Sequence, residues 1–523
     1  MPSPDTTLAA LCPACCRLVP ELGPADAADD MAAVLSRHPQ QAARYPFLAD
    51  LAAVEQAIAR AAGGAGALPH QVERLTINPS LELVAVQWSR LPELARGGEA
   101  RPEPWQGFVL IYQRPDSGEL VVREAGGHDL LALKIVSEEL DPAEAARQGG
   151  VTVGEIDHIL YGAGQLGLLL APPSLLVRDA DFPRGVITDP ERFTARVFTL
   201  QWHVTQACDL HCRHCYDRSD RTPMALDRAI RVLDDLRDFC QAHHVMGQVS
   251  FTGGNPLLYP HFNELYREAA DRGFLTAILG NPMPRQRIEE ILAIRRPEFY
   301  QVSLEGLRDH NDYIRGRGHF DRILAFLDVL RELDIYSMVM LTLTRANMDQ
   351  VLELAELLRG RTDLFTFNRL AMVGEGAALA SAPVDRFPAF LADYMAAAEQ
   401  NPCMGLKDNF FNLLLHRQDR PLKGGCAGFG CGAAFNFVSL LPDGEVHACR
   451  KLPSLIGNIY DQPLAEIYHG RAAQRYRRGS AACSDCGIRP LCGGCLAVSY
   501  GFGRDIFTEP DPYCFRSMAA EQE

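Results

Sequence analysis

The sequence predicts an α/β fold: a partial barrel of six strand–helix units, with a smaller α+β region before it and a cysteine-rich region after it. Three observations support this prediction. Strands alternate with amphipathic helices from residue 197. Eight of the 16 cysteines fall between residues 426 and 514. The length of 523 residues exceeds what one hydrophobic core usually supports, so we expect several domains.

The composition, 47% hydrophobic and 22% charged residues, is typical of a globular protein. A net charge of −15 without a long run of Lys or Arg argues against a nucleic-acid partner. The chain has no apolar run of membrane-spanning length and does not begin like a secretion signal, so we expect no membrane and a cytoplasmic location. In that compartment cysteines more often bind metals or take part in catalysis than form disulfides.

The region before the barrel divides into a helical segment, 1–78, and an α+β segment, 79–172. The second has three strand-like stretches followed by three short helical patterns, with a turn at 115–118 between the last two strands. This order resembles the winged-helix modules with which peptide-modifying enzymes hold a leader peptide. An unspecialised α+β domain is the alternative. The proline-containing stretch 171–185 predicts a linker.

The predicted barrel occupies residues 195–375, and a helical bridge, 376–425, joins it to the cysteine-rich region, 426–523. The predicted strands are 197–204, 247–253, 274–280, 299–306, 336–344 and 364–370. Because each strand is followed by a helical crossover, the strands should be parallel. Chemistry in such barrels lies at the carboxyl ends of the strands, so we expect the functional residues there.

Cys208, Cys212 and Cys215 follow the first of these strands with the spacing Cys-x3-Cys-x2-Cys. Three thiolates can hold a [4Fe–4S] cube while one iron keeps no protein ligand. A zinc or redox site is the alternative. In its barrel context the motif resembles that of the radical S-adenosylmethionine (SAM) superfamily. There the open iron binds the methionine group of the cofactor, and one electron from the cluster releases a 5′-deoxyadenosyl radical.

The resemblance extends to the ends of the other strands. Residues 253–256 match the family's Gly-Gly-Glu-Pro segment at the methionine amine, but Asn255 replaces Glu and removes a negative charge. His214 holds the place of an aromatic residue beside adenine, and Ser303 and Arg315 match positions facing the methionine carboxylate or the ribose. The implied cofactor-binding residues are His214, Gly253, Gly254, Asn255, Pro256, Asn281, Ser303, Arg315 and Leu370.

The cysteine-rich region resembles the SPASM extension of the same superfamily, which implies two auxiliary [4Fe–4S] clusters and therefore three in all. A zinc module is the alternative, although five residues between the two Cys-x2-Cys pairs are fewer than zinc sites usually have. The family pattern assigns Cys426, Cys431, Cys449 and Cys495 to an inner cluster, and Cys483, Cys486, Cys492 and Cys514 to an outer one.

Two points in this pattern depart from the family or remain open. The family more often has three residues between the last paired cysteines, whereas this sequence has two between Cys492 and Cys495. Cys426 is either the eighth ligand or, if the inner cluster has an open iron, a catalytic acid or base. A turn at 442–444 between two strand-like runs predicts a hairpin that brings Cys431 and Cys449 together.

Several other residues are expected to have unspecialised roles. Cys240 and Cys403 stand alone and are expected to be buried. The thiols of Cys12–Cys16 lack nearby partners in the sequence and are expected to be solvated. The pair His243–His244 after a helix is expected at the surface.

The resemblance implies an enzyme that modifies a ribosomally made peptide by cross-linking, thioether formation or oxidation. The domain order is loosely similar to that of maturases of selenobiotic or thio(seleno)oxazole-type peptides. The expected partners are a precursor peptide and an electron donor such as flavodoxin or ferredoxin. Two alternatives remain: a sulfatase-maturase-like oxidation of a protein Cys or Ser, and a non-catalytic iron–sulfur electron-transfer scaffold. The open three-cysteine site argues against the scaffold, because electron carriers close their clusters with four ligands.

Overall fold

The computed structural model describes residues 11–20, 37–63 and 72–516. The chain forms two compact units, Met1–Pro173 (unit 1) and Ser174–Glu523 (unit 2). The division falls inside the stretch for which the sequence predicts a linker. Leu176 is already buried in the core of unit 2, so only the first residues of that stretch lie in unit 1.

Within its described residues, unit 1 is built on a three-stranded antiparallel sheet in the order β2-β3-β4. Its helices are α1 (Pro13–Leu18), α2 (Pro39–Arg44), α3 (Leu48–Gly63), α4 (Leu91–Ala95), α5 (Gly127–Ser137), α6 (Pro142–Gly149) and α7 (Val153–Gln165). Its strands are β1 (Thr76–Ile77), β2 (Glu82–Trp88), β3 (Pro104–Gln113), β4 (Leu120–Glu124) and β5 (Leu169–Leu170). The order of three strands and then three helices agrees with the sequence prediction, whereas the winged-helix likeness stays a prediction.

The central strand β3 is apolar on both faces because helices cover both. Val109 and Ile111 pack in one hydrophobic cluster with α1, α3 and α4. Leu110 and Tyr112 point to the opposite side and pack with α5, α6 and α7. The helical segment before residue 78 and the α+β segment after it therefore share one core.

Two of the three N-terminal cysteines, Cys12 and Cys15, are buried and Cys16 is half-buried, which corrects the expectation of solvated thiols. Cys12 and Cys15 have no exposed surface, and the Cys15 thiol lies 3.7 Å from the carbonyl oxygen of Leu48 at the start of α3. The buried Glu55 carboxylate of α3 accepts hydrogen bonds from the backbone N–H groups of Ala14 (2.6 Å) and Cys15 (3.1 Å). Burial raises the pKa of Cys12 to about 12. The sequence missed this because the partner helix lies about 40 residues away.

Within residues 174–516, unit 2 contains a nine-stranded sheet in the order β11-β10-β9-β8-β7-β6-β12-β13-β14. Its strands are β6 (Val197–Thr205), β7 (Met246–Gly253), β8 (Leu275–Leu279), β9 (Phe299–Ser303), β10 (Ser337–Leu343), β11 (Leu364–Arg369), β12 (Phe437–Leu440), β13 (Glu445–His447) and β14 (Leu455–Asn458). Strands β6 to β11 are parallel neighbours in chain order. These are the six predicted strands of the partial barrel.

Helices follow the strands and cover the outer face of the sheet. They are α8 (Leu226–Ala242), α9 (Phe262–Asp271), α10 (Arg285–Leu292), α11 (Arg308–Arg315), α12 (His319–Glu332), α13 (Val351–Leu358), α14 (Phe387–Ala398), α15 (Phe411–Arg417), α16 (Leu464–His469), α17 (Arg471–Arg478) and α18 (Leu496–Gly501). No helix in the described ranges has the length and apolar character needed to cross a membrane.

Strand β6 shows how the sequence divides the two faces of the barrel. Phe198, Leu200 and Trp202 are buried in the main hydrophobic cluster of unit 2. The alternate residues Thr199 and Gln201 line an internal cavity. This period of two is that of a strand whose faces meet different surroundings.

The predicted hairpin joins the cysteine-rich region to the barrel. Strand β12 pairs in parallel with β6, and β13 turns back antiparallel to it, with Ser439 opposite His447. The barrel sheet and the C-terminal hairpin are thus one continuous sheet. The sequence predicted the hairpin but not its pairing with the first barrel strand.

His243 is buried, contrary to the surface position expected from the sequence. Its Nε2 lies 2.9 Å from Nε2 of His469 on α16, and its Nδ1 lies 2.7 Å from the carbonyl oxygen of Phe239. Helix α16 covers the end of α8, which no local pattern around residue 243 reveals. His244 is exposed, and Cys240 and Cys403 are buried as expected.

Candidate active site and cluster-binding cavities

The segment 208–215, here named the three-cysteine loop, leaves the carboxyl end of β6. Its three thiols line a cavity of about 440 Å³, the SAM-site cavity, at the carboxyl ends of the barrel strands. Backbone hydrogen bonds shape the loop: Cys215 N–H donates to the Cys212 carbonyl (3.2 Å), and Arg213 N–H donates to the Ile314 carbonyl at the end of α11 (3.0 Å). Burial raises the pKa of the Cys212 and Cys215 thiols, so they favour the protonated form until a metal binds.

Glycines at the end of β7 allow close backbone contact with the start of this loop. A Cβ atom on Gly253 would lie 2.2 Å from the Thr205 carbonyl oxygen, and one on Gly254 would lie 2.2 Å from that of Ala207. Gly253 also has φ +134°, where a side chain would be strained. Gly254 N–H donates to the Thr205 carbonyl (2.8 Å), which fixes the glycine segment beside the loop.

A carboxylate on the three-cysteine loop binds two asparagines from neighbouring strand ends. Asp209 Oδ1 accepts hydrogen bonds from Nδ2 of Asn255 (3.1 Å) and of Asn281 (2.7 Å). Asn281 Nδ2 also lies 3.5 Å from the Cys208 sulfur. Asn255, which stands where the family has Glu, is fully buried and does not line the cavity. Its side chain therefore supports the loop from behind.

A buried ion-pair network lies beside Cys212. The Glu305 carboxylate accepts hydrogen bonds from Arg315 Nε (3.0 Å) and Nη2 (2.6 Å), and it lies 3.2 Å from His214 Nε2. Burial raises the Glu305 pKa, but the charges of His214 and Arg315 more than offset this and hold it well below its usual range. Arg315 Nη1 lies 3.7 Å from the Cys212 sulfur. Arg315 thus presents a fixed positive charge to the cavity.

The structure brings most of the predicted cofactor-binding residues to this one cavity. Its lining includes His214, Gly253, Gly254, Asn281, Ser303, Arg315 and Leu370. Asn255 and Pro256 are buried outside the lining. The sequence analysis did not single out Asp209 or Glu305, although both follow strands of the barrel at their carboxyl ends, where functional residues are expected.

The eight C-terminal cysteines fall into two groups. Cys426, Cys431, Cys449 and Cys495 line a second cavity of about 440 Å³, the inner cavity. Cys483, Cys486, Cys492 and Cys514 line a third of about 220 Å³, the outer cavity. These are the crossed sets that the family pattern implies. Between Cys492 and Cys495, Gly493 and Gly494 both take left-handed conformations, φ +69° and +64°, which turn the chain from one cavity to the other.

Four cysteines line each of these two cavities, which is the number of thiolates that a closed [4Fe–4S] cube binds. Among the described residues, no three His, Cys, Asp or Glu side chains are placed to hold one metal ion. A cube binds each thiolate through a different iron, so its ligands stand further apart than those of one zinc ion. Burial raises the pKa of Cys449 to about 11 and of Cys495 to about 12.

Buried cations give a second test of whether clusters suit these cavities. Arg178 and Arg489 are 5% and 3% exposed, and neither has a carboxylate at ion-pair distance within residues 72–516. Arg178 Nη2 donates to the carbonyl of Cys431 (2.9 Å). An unpaired buried charge is costly, and an anionic cluster would supply the missing counter-charge. The residues present therefore suit iron–sulfur clusters.

The SAM-site cavity and the inner cavity share part of their walls. Asn368, Arg369, Arg450 and Lys451 line both. Arg369 is buried between two carboxylates, Asp408 (2.8 Å) and Asp511 (2.9 Å), and Asp511 also accepts a hydrogen bond from Cys495 N–H (2.8 Å). A molecule at this junction could contact both sites.

Comparisons with known proteins agree with this geometry. Residues 202–358 match the model of the radical SAM superfamily, and residues 431–487 match that of SPASM, an iron–sulfur cluster-binding domain. The AdoMet-dependent heme synthase of Methanosarcina barkeri is 26% identical over 346 residues, covering 60% of this chain and 95% of that protein. The mycofactocin maturase MftC of Mycolicibacterium smegmatis is 28% identical over 337 residues, covering 61% of this chain and 83% of that protein.

One solved structure of similar fold is that of Streptococcus suis SuiB bound to its precursor peptide SuiA. It is 17% identical, with a TM-score of 0.51, and the likeness covers 78% of this chain and 96% of that one. A radical SAM domain binds S-adenosylmethionine at a [4Fe–4S] cluster, and a SPASM domain binds auxiliary iron–sulfur clusters. The chain therefore contains a radical SAM domain at 202–358 joined to a SPASM iron–sulfur cluster-binding domain at 431–487.

Proposed function

We propose that this protein is a radical SAM enzyme that modifies a ribosomally made peptide held between the SAM-site cavity and the inner cavity. The observation that carries the proposal is their shared wall, Asn368, Arg369, Arg450 and Lys451. A peptide side chain at this junction would lie within reach of both sites. The likeness to the mycofactocin maturase MftC supports a maturation reaction, and SuiB, which has a similar fold, has been solved bound to a precursor peptide.

The protein's own residues have distinct parts in this proposal. Cys208, Cys212 and Cys215 hold the cluster that binds the cofactor, and Arg315 and Ser303 face the cofactor. When bound, S-adenosylmethionine supplies a 5′-deoxyadenosyl radical that abstracts hydrogen from a substrate carbon. A flavodoxin or ferredoxin supplies electrons in the cytoplasm. The products of this class are a cross-link, a thioether or an oxidised residue.

The crossed cysteine sets are the proposed ligands of the two auxiliary clusters. Cys426 is the exposed member of the inner set, and its N–H donates to Asn409 Oδ1 (2.7 Å). We assign it as a ligand because it lines the same cavity as Cys431, Cys449 and Cys495. Cys426→Ala should then lower the iron content. Unchanged iron content with lost peptide turnover would instead indicate an acid or base role.

Unit 1 is proposed to hold the leader part of the peptide. Its described sheet has β2 and β4 at the edges, and an edge strand can pair with an extended peptide. The matches to the two relatives cover 60% and 61% of the chain, so part of the chain lies outside both matches. A separate recognition function is consistent with that division.

The experiment uses full-length enzyme reconstituted anaerobically, with S-adenosylmethionine, a reductant and synthetic peptides encoded by short reading frames beside its gene. Mass spectrometry should detect a modified peptide and formation of 5′-deoxyadenosine. Because one relative is a heme synthase, haem formation is measured in parallel. Haem formation without peptide modification would overturn the proposal.

A truncated enzyme beginning at Ser174 tests the part of unit 1. It should still form 5′-deoxyadenosine but should no longer modify the full precursor. The cut must not remove residues 174–190, because Arg178 and Phe182 are buried in unit 2. Normal turnover of the precursor by the truncated enzyme would refute leader recognition.

A further inference from the structure

Two buried arginines, Arg178 and Arg489, lie near the proposed ligand cysteines, and neither has a carboxylate at ion-pair distance within residues 72–516. Arg489 stands between Cys486 and Cys492 in the sequence, and its N–H donates to the Cys486 carbonyl (3.0 Å). Arg178, from the start of unit 2, donates from Nη2 to the carbonyls of Cys431 (2.9 Å) and Phe429 (3.2 Å). The Arg178 guanidinium therefore contacts the backbone of a proposed ligand loop. The Arg489 guanidinium donates from Nη2 to the Arg478 carbonyl, and its Nη1 lies close to Gly493.

Phe182 lies between the two guanidinium groups. Arg178 stands 4.6 Å and Arg489 4.8 Å from the centre of its ring. The second ring over Arg178 is that of Phe435, at 3.9 Å. Aromatic faces attract the cations only partly, because a ring carries no net charge. The two positive charges are thus held close together in an apolar setting.

Neither arginine satisfies all its donors in the described structure. Arg178 Nε and Arg489 Nη1 are buried without a hydrogen-bond acceptor. Arg369, also in unit 2, is equally buried but is paired with two carboxylates, those of Asp408 and Asp511. A buried charge is normally paired. The polypeptide supplies no such counter-charge to Arg178 or Arg489 within residues 72–516.

The missing counter-charge matches what the clusters carry. A [4Fe–4S] cube with four thiolate ligands is an anion, and its negative charge increases on reduction. Arg178 Nη2 donates to the carbonyl of Cys431, which lines the inner cavity. A Cβ atom on Gly493, which lines the outer cavity, would lie 2.2 Å from Arg489 Nη1. Each arginine therefore lies beside one of the two cysteine sets.

We propose that Arg178 and Arg489 are the counter-charges of the auxiliary clusters and raise their reduction potentials, Arg489 for the outer cluster and Arg178 for the inner one. A nearby buried cation stabilises the reduced, more negative cluster more than the oxidised one. The two clusters would then accept an electron more readily. This inference rests on the proposed cysteine sets and not on the identity of the substrate.

The test measures the midpoint potentials of the auxiliary clusters by EPR-monitored redox titration. The holoenzyme carries Ala at Cys208, Cys212 and Cys215, so that the auxiliary clusters alone contribute. Arg489→Met should shift the midpoint of the outer cluster to lower potential, and Arg178→Met should shift that of the inner cluster. Methionine keeps an unbranched apolar chain but removes the charge.

Arg477→Met is the matched control. Arg477 is also buried and has no carboxylate at ion-pair distance within residues 72–516. It donates to the carbonyls of Ala434 (3.2 Å) and Tyr468 (2.7 Å), and neither of these residues lines the inner or the outer cavity. The cluster midpoint potentials of the Arg477→Met variant should equal those of the parent enzyme. Unshifted midpoints in Arg489→Met, or an equal shift in Arg477→Met, would overturn the proposal.

A variant that loses a cluster is also informative. Arg489→Lys retains the positive charge, so it should keep the cluster and a midpoint near that of the parent. If Arg489→Met and Arg489→Lys both lose a cluster, the role of Arg489 is steric and the proposal is wrong. None of these measurements requires a peptide, so their failure is distinct from failure of the proposed peptide chemistry.

Discussion

Replacing Glu305 with glutamine removes the one negative charge of the network beside Cys212 while keeping the shape of the side chain. Glu305 is 2% exposed and accepts hydrogen bonds from Arg315 at 3.0 and 2.6 Å and from Thr342 N–H at 2.7 Å. Breaking a buried pair by removing one partner costs about 3–5 kcal/mol, because the other charge stays buried and unpaired. We therefore expect Glu305→Gln to lower the local stability of α11 by about that amount.

The assay is native-state hydrogen exchange of peptides from α11, which reports local opening in a protein of two units. The control is Asp321→Asn, which removes the exposed pair between Arg308 of α11, the helix that also carries Arg315, and Asp321 of α12. Exposed pairs contribute about 0–1 kcal/mol. Equal exchange in the two variants would refute the reasoning. Glu305→Gln should also weaken S-adenosylmethionine binding, because Arg315 loses the partner that orients it.

The pH dependence of this effect has a definite sign. The net pKa of Glu305 lies below its ordinary value, although burial alone would raise it, because the charges of His214 and Arg315 outweigh burial. Its stabilisation is complete above the ordinary carboxyl pKa and is lost as the pH falls through the folded-state pKa. The deficit of Glu305→Gln should therefore be constant at neutral pH and shrink only in acid.

Replacing the three cysteines of the three-cysteine loop with Ala should remove about four of about twelve irons, as one of three cubes, and all 5′-deoxyadenosine formation; full cleavage of S-adenosylmethionine would refute this site. Asp209→Asn should weaken S-adenosylmethionine binding, and Asn255→Glu should also weaken it through repulsion between the two carboxylates. The double variant should restore binding in a titration. Additive losses of affinity in the double variant would refute the coupling. Because burial raises the pKa of Cys449 to about 11, cluster assembly must release protons, so iron uptake by the cluster-free protein should increase from pH 7 to 9; pH-independent uptake would contradict this.

The sequence by itself determined the features that depend on neighbouring residues. The strand and helix periods predicted the six parallel strands, because a strand or a helix shows its buried face within a few residues. The spacing at Cys208–Cys215 predicted an iron–sulfur loop, and the turn at 442–444 predicted the hairpin. Each of these patterns is complete within about 15 residues, so it can be seen without knowing what packs against it.

Tertiary structure decided what depends on residues far apart in the chain. The crossed cysteine sets were implied by family resemblance and by the Gly493–Gly494 turn, and the fold places their members around two separate cavities. Asn255 faces Asp209 and not the cavity, and His243 is buried under α16. The pairing of Glu305 with Arg315 and the uncompensated charge of Arg178 likewise depend on packing. A side chain's charge is encoded locally, but its partner and its exposure are set by whichever distant segment covers it.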